Sequence, residues 1–238
     1  MSTEQVPTPP EAFPAATVVI IRDGDNGLET LLLQRAAAIK FAGGAWVFPG
    51  GRVDEADYGD DHTDIESASR RAAARECVEE AGVTVAPDQL VACAHWTTPT
   101  NERKRFATSF YICAIDKDTP VTIDEGEIVA HQWMAPQKAL DDHHQEGLAL
   151  LPPTYITLWE LAQSHNTEEA LNFYRERPLR RHLPNLIVGE ITRDVLGNAG
   201  AVTLYEEDAG YKTGDIRETD TMHRSVMTDK GWQYIKTI

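Results

Sequence analysis

The sequence predicts an α/β protein: a mixed β-sheet with helices on its faces, continued by a C-terminal extension of helices and short strands. Apolar, β-branched runs bounded by turn residues lie on both sides of a long alanine- and glutamate-rich segment at 64–81. After Ala135-Pro136 the pattern becomes helical, and from Leu186 short β-like pieces return. With 42% hydrophobic residues in 238, the chain can bury a full core, as one domain with an extension or as two small ones.

Taken in order, residues 1–14 are rich in Pro, Glu and Thr, lack the basic start and apolar stretch of a signal peptide, and read as a loose tail. Ala16 to Arg22 and Glu29 to Gln34 are apolar runs joined by Asp23-Gly24-Asp25-Asn26-Gly27, which predicts a β-hairpin. Ala45 to Phe48 is a short strand feeding a glycine loop, and a helix follows from about Asp64 to Ala81. Leu90 to Thr97, Phe106 to Ile115 and Glu127 to Met134 are further strands. Helices are predicted at Pro136 to Gln145, at Pro153 to Ser164, and at Glu168 to Arg177, the last ended by Pro178. In the second of these, Tyr155, Leu158, Trp159 and Ala162 form one apolar packing stripe. Short strands follow at Leu186 to Ile191, Ala201 to Tyr205, His223 to Met227 and Trp232 to Ile238. Trp232 and Tyr234 flank Gln233 in the alternation of a half-buried strand, so residues 165–238 are expected to pack on the 15–164 domain or on a second subunit.

The net charge of -16 argues against long nucleic acid as a partner, because phosphate neutralisation needs clustered Lys and Arg. It also means that a small anionic substrate must be drawn in by a metal ion and local basic residues. No apolar run approaches the roughly 18 residues of a transmembrane helix. Cys77, Cys93 and Cys113 are widely spaced in largely apolar segments, which predicts buried thiols. Together these features predict a cytoplasmic location.

The segment from Phe48 to Val83 carries the chemistry. A helix turns about 100° per residue, so Glu76, Glu79 and Glu80 share one arc, while Ala74, Cys77, Val78 and Ala81 point the other way. Like charges at this spacing repel by roughly a few tenths of a kcal/mol per pair, a repulsion that a cation relieves. E-x-x-E-E alone also describes a solvated helix face. Around it, Phe48-Pro49-Gly50-Gly51 precedes the helix, Arg75 adjoins Glu76, and Gly82 follows the last glutamate. Gly82 suits a left-handed C-cap, and Gly50 and Gly51 allow a tight turn close to a ligand.

In this order the residues resemble the Nudix box, which reads G, five residues, E, seven residues, R-E-U-x-E-E-x-G-U with U apolar; its second half is matched by Arg75, Glu76, Cys77, Glu79, Glu80, Gly82 and Val83. The first half departs from the pattern. Eight residues before Arg75 stands Ser67 in place of a glutamate, and Gly51 lies ten residues further upstream than unbroken spacing allows, so the loop carries an insertion. Glu66 is one residue off; Thr63 and Glu66 also fit a helix capping box, and Glu66 is left outside the catalytic set. The inserted run Asp54 to Asp64 is acidic and reads as an exposed loop or lid edge.

The resemblance implies a Nudix α/β/α sandwich, a homodimer, and Mg²⁺- or Mn²⁺-dependent hydrolysis of a diphosphate linked to a group X. It implies that Glu76, Glu79 and Glu80 bind the metal and that Arg75 orients a box glutamate. It also implies a fourth acid after the box, for which Glu127 lies at the family's spacing before Trp133, with Asp124 and Glu125 near enough to compete. Glu76, Glu80 and Glu127 stay open as general base. Arg35 falls where Nudix proteins often place a phosphate-contacting arginine, though it could also cap the sheet edge. Arg103, Lys104 and Arg105 either meet a phosphate or sit in a hairpin turn, and His143-His144 reads as a surface feature. Before the box, Ala36, Ile39, Lys40, Ala42 and Gly44 keep the spacing of the coenzyme A diphosphatase signature and, in Lys40, its positive charge, without its Ser and His. This partial signature implies coenzyme A and its thioesters as substrates, alongside ADP-ribose and other nucleoside diphosphate derivatives; the alternative is a ligand-sensing module without turnover.

Overall fold

The computed structural model describes residues 9–40, 42–197 and 200–237. Its central strand is β1 (Ala12–Gly24), in which Val18, Val19, Ile20 and Ile21 are all buried, as a strand covered on both faces requires. The turn at 25–26 returns the chain as β2 (Gly27–Arg35), antiparallel to β1, and β6 (Arg105–Ala114) runs parallel to β1 from Ala12↔Arg105 to Ile21↔Ala114. The main sheet has the order β3 (Trp46–Val47), β2, β1, β6, β5 (Val91–Thr97), β8 (Arg180–His182). In addition β4 (Gly50–Arg52) pairs with β1, and β7 (Ile128–Met134) pairs with β2.

Strand periodicity decides which residues face which layer. Val18, Ile20, Leu31 and Leu33 meet α1 (Ile65–Ala81) through Ala68, Ala72, Ala73, Cys77 and Ala81, whose small side chains let the helix lie close to the sheet. Val19, Ile21 and Leu32 point to the opposite face, against α2 (Pro136–Gln145), α3 (Pro152–Leu161) and α4 (Thr167–Glu176). The result is the predicted α/β/α sandwich on a mixed sheet. Among the described residues no helix is long and apolar enough to cross a membrane.

The C-terminal residues add α5 (Glu190–Leu196) and a four-stranded sheet in the order β12 (Gly231–Lys236), β11 (His223–Thr228), β10 (Ala201–Leu204), β9 (Asn185–Val188). They pack on the core of the same chain. Trp232 is buried in the cluster formed with α2 and α3, and β8 joins the main sheet parallel to β5. Glu160 on α3 accepts from Arg177 (2.7 and 2.9 Å), Arg180 (2.7 Å) and the Tyr174 hydroxyl (3.2 Å). Within the extension, Asp208 receives a two-pronged bond from Arg224, both contacts at 2.7 Å.

Several expectations are corrected. Residues 12–14 belong to β1 and are not tail, while residues 1–8 lie outside the described residues, as does Ile238 at the end of the last predicted strand. The cap of α1 is Asp64, whose carboxylate accepts from the Ser67 N–H at 3.0 Å; Thr63 instead bonds Asp61, and Glu66 pairs with Arg70. Val78 is exposed, and the buried side of α1 includes Glu80, so packing and carboxylate faces overlap along one edge of the helix. His143 is buried and accepts from the Trp232 N–H at 2.7 Å, while His144 Nε2 bonds the Trp232 carbonyl at 2.8 Å. This pair is a clasp for β12 and not a surface feature.

Candidate active site

Gly50 and Gly51 form β4 against β1, Gly50 opposite Thr17 and Gly51 opposite Ala16. Close approach requires glycine at Gly50, where a β-carbon would overlap the β1 backbone, whereas one at Gly51 would meet the Glu76 carboxylate and displace that side chain. At the other end of α1, Gly82 takes φ 65° and donates to the Val78 carbonyl at 3.0 Å, which ends the helix just past the glutamates.

Between these elements lies a cleft of about 580 Å³, lined among others by Arg35, Gly50, Gly51, Glu76, Glu79 and Glu80. Lys104, Asp124 and Glu127 also line it. Arg75 organises the acids from one guanidinium. It donates to Glu76 at 2.8 Å, to Glu79 at 3.1 Å, to Asp57 at 2.9 Å and to the Arg52 carbonyl at 2.9 Å, and Asp57 foremost, with Glu76, raises its pKa against the effect of burial. Burial raises the Glu76 carboxyl against the opposing pull of Arg75. Burial pushes Glu80 up to about 7, and the Gly50 N–H, donating at 2.9 Å, offsets part of that rise.

The later acids separate by their bonding. Asp124 accepts from the N–H groups of Glu127 and Ile128, both at 2.9 Å; desolvation opposes ionisation there, but these backbone bonds prevail and lower its pKa. It is occupied in opening β7. Glu127 faces Arg35 at 3.3 Å across the cleft wall, with its own side chain 65% exposed and thus accessible to a ligand. Glu125 is not among the lining residues. Of the basic trio, Lys104 lines the cleft, while Arg105 is buried and donates to the carbonyls of Thr98 and Pro10. Lys40 is exposed in the turn after β2 and does not line the cleft.

Sequence reasoning missed Asp57. The inserted run is not wholly an exposed loop: a 3-10 turn at Glu55–Asp57 buries the Asp57 carboxylate against Arg75, and Arg71 bonds the Asp57 carbonyl. No spacing in the sequence links positions 57 and 75. A surplus acid close after the glycine loop was the available signal.

A glycine loop on a sheet edge, followed by a helix whose Arg-Glu pair and Glu-Glu pair enter one cleft, can be compared with known proteins. The model of the NUDIX domain matches residues 12–152. The chain belongs to the NUDIX domain family. Among its relatives, a putative nudix hydrolase 7 of Caenorhabditis elegans is 28% identical over 170 residues, 56% of this chain and 55% of that protein. Human acyl-coenzyme A diphosphatase NUDT19 is 25% identical, over 96% of this chain and 81% of that protein. The chain thus spans about half the length of the nematode relative. A crystal structure of a NUDIX hydrolase from Alicyclobacillus acidocaldarius shares the fold with a TM-score of 0.60 at 24% identity, covering 68% of this chain and 96% of that one.

In this NUDIX cleft no group of three His, Cys, Asp or Glu among the described residues is gathered tightly enough to hold a metal ion. Arg75 draws Glu76 and Glu79 toward itself, and the Gly50 N–H holds Glu80. The donors nevertheless fit a hard divalent cation, being carboxylate oxygens beside a backbone turn. The raised pKa of Glu76 and of Glu80 marks two anions that burial destabilises and that a cation would stabilise.

Proposed function

We propose that the protein is a divalent-metal-dependent diphosphatase, which hydrolyses the diphosphate linkage of a nucleoside diphosphate derivative and releases a monophosphate. One observation carries this reading: Glu76, Glu79, Glu80 and Glu127 share a single cleft with Arg35, Lys104 and the Gly50-Gly51 turn. Bound Mg²⁺ or Mn²⁺ would polarise the phosphoryl group and lower the pKa of the attacking water. Those four glutamates would hold the cation. Arg75 positions Glu76 and Glu79, and the Gly50 N–H positions Glu80. Arg35 and Lys104 bring positive charge to the phosphates, which a chain of net charge -16 would otherwise repel. Glu76, Glu80 and Glu127 are the acids placed to take the proton of the water.

Coenzyme A or its thioesters are the proposed substrates, with ADP-ribose and related compounds as the other members of the class; the activity named for the human relative supports the first. A homodimer belongs to the same proposal, and sedimentation of the full chain tests it. For the reaction itself, a panel of nucleoside diphosphate derivatives is incubated with Mg²⁺ or Mn²⁺. Release of a monophosphate, abolished in Glu79→Gln and Glu80→Gln, is the expected result. Full activity in both variants would overturn the assignment.

A further inference from the structure

Two of the cations lining the acidic cleft are engaged by its carboxylates: Arg35 faces Glu127, and Arg75 is held by Asp57, Glu76 and Glu79. Arg52 and Lys104 line it too, are exposed, and pair with no carboxylate among the described residues, in a chain with 38 Asp and Glu against 22 Lys and Arg. Each sits on an aromatic ring instead. The Arg52 guanidinium carbon lies 4.4 Å from the centroid of Phe13, and the Lys104 ammonium 5.1 Å from that of Phe106.

Strand register builds this lip. Phe13 of β1 stands opposite Phe106 of β6, and Ala15 stands opposite both Thr108 of β6 and Arg52 of β4. Ala15, Phe106 and Thr108 line the cleft, so Phe13, two residues before Ala15, is on the same side, its ring 6.5 Å from that of Phe106. Phe13 stays 42% exposed, so its ring contributes little to the core. An aromatic face attracts a cation by about 0.5–1 kcal/mol at an exposed site, and unlike a carboxylate it leaves the charge uncompensated and the N–H donors unused. Arg52 is fixed through its backbone as well, since its carbonyl accepts from Arg75 at 2.9 Å. The guanidinium that organises the glutamates therefore also sets the distance between them and the lip.

We propose that this lip binds a further phosphate group of the substrate, one beyond the two of the scissile diphosphate. The inference rests on the diphosphatase reading and adds a feature that selects among its substrates. Gly50 holds Glu80, and Arg52 follows two residues later on the same strand, roughly 7 Å further along. A ribose, or two more phosphate units, can span that distance, so the group is a phosphate on a ribose hydroxyl or the outer part of a longer polyphosphate. Both present the same chemistry, a cluster of anionic oxygens that accepts charge-assisted bonds from a guanidinium and an ammonium. Plain ribose hydroxyls, being uncharged, offer the two cations no such bonds.

The test uses the full chain with Mg²⁺ and two sets of substrates: ADP-ribose with and without a phosphate on the 2′ or 3′ hydroxyl of its adenosine, and diadenosine diphosphate against diadenosine tetraphosphate. In at least one set the more phosphorylated substrate is expected to show a kcat/KM higher by about tenfold or more, mostly through KM. The set that shows it identifies the source of the group. Arg52→Gln with Lys104→Gln is expected to erase the preference, Arg52→Lys to keep part of it, and Phe13→Leu, which removes a ring and keeps the charge, to weaken it. A wild-type chain indifferent to the extra phosphate in both sets, or a preference that survives the double change, would overturn the proposal. If no diphosphate is cleaved, the diphosphatase reading fails, and calorimetry with adenosine 2′,5′- and 3′,5′-bisphosphate against AMP then decides the lip. Tighter binding of a bisphosphate by the wild-type chain, lost in the double variant, sustains it; equal binding of bisphosphate and AMP, or none, overturns it.

Discussion

Arg75 is held 2.9 Å from the buried carboxylate of Asp57, which ties the inserted loop to the residue that organises the glutamates. Asp57→Asn keeps the shape and removes the charge. We expect a loss of about 1–3 kcal/mol in stability, and a fall in activity on the order of tenfold with a higher Mg²⁺ requirement, because the support of the metal-binding carboxylates is loosened. Denaturant unfolding and a Mg²⁺ titration measure the two effects. Unchanged metal dependence would show that the loop is mere decoration.

Glu80 makes the metal-free protein sensitive to pH. Its carboxyl is raised from 4.5 to about 7, so the folded state holds a proton that the unfolded state has released between those values, and stability falls as pH rises through that window. Without metal, Glu80→Gln is expected to be more stable than the parent at pH 8 by about 2–3 kcal/mol. Added Mg²⁺ should raise the melting temperature of the parent and affect the variant much less. A variant that melts lower than the parent in chelator at pH 8 would contradict this account.

His182 works in the opposite direction. Burial lowers it from 6.5 to about 3, with the neighbouring His223 as the next cause, so below pH 6.5 the unfolded state takes up a proton that the folded state refuses. Stability is then lost as pH falls from 6.5 toward 3, with a slope of up to about 1.4 kcal/mol per pH unit. His182→Phe preserves a ring against Trp96 and should flatten the decline. Unfolding curves of both proteins at pH 5 and pH 7.5 give the comparison.

Asp208 and Arg224 are both buried, at 0% and 5% side-chain exposure, so removing one partner strands a charge. Asp208→Ala is expected to destabilise the C-terminal sheet by about 3–5 kcal/mol, and the double change Asp208→Leu with Arg224→Met to recover much of the loss. Chemical unfolding followed by tryptophan emission, with Trp232 as a reporter, would register both. Additive effects of the two changes would rule out a paired role.

Much of the fold is legible because its signals are local. The hairpin of β1 and β2 follows from apolar runs around Asp23-Gly24-Asp25-Asn26-Gly27, and α1 from its alanine- and glutamate-rich run and its terminal Gly82. The side of α1 that packs is less legible. Val78 fits an apolar face by composition yet is 48% exposed, while Glu80 is buried, because the helix turns its alanines to the sheet and its edge to the Gly50 loop. His143 misled for a similar reason: its partner, Trp232, arrives from a distant strand.

The sequence by itself determined the family, the residue types at the site and most of the elements, though not β4, β8 or α5, since periodicity and a glycine loop followed by paired glutamates are properties of neighbouring residues. Only the tertiary structure decided that Asp57 holds Arg75, that Asp124 accepts from the backbone N–H groups opening β7 while Glu127 faces Arg35, and that His143 clasps Trp232 of the C-terminal sheet. Those relationships join residues far apart in the chain. They are set by how the layers pack and by where burial leaves a charge or a donor without water, and no sequence spacing records that.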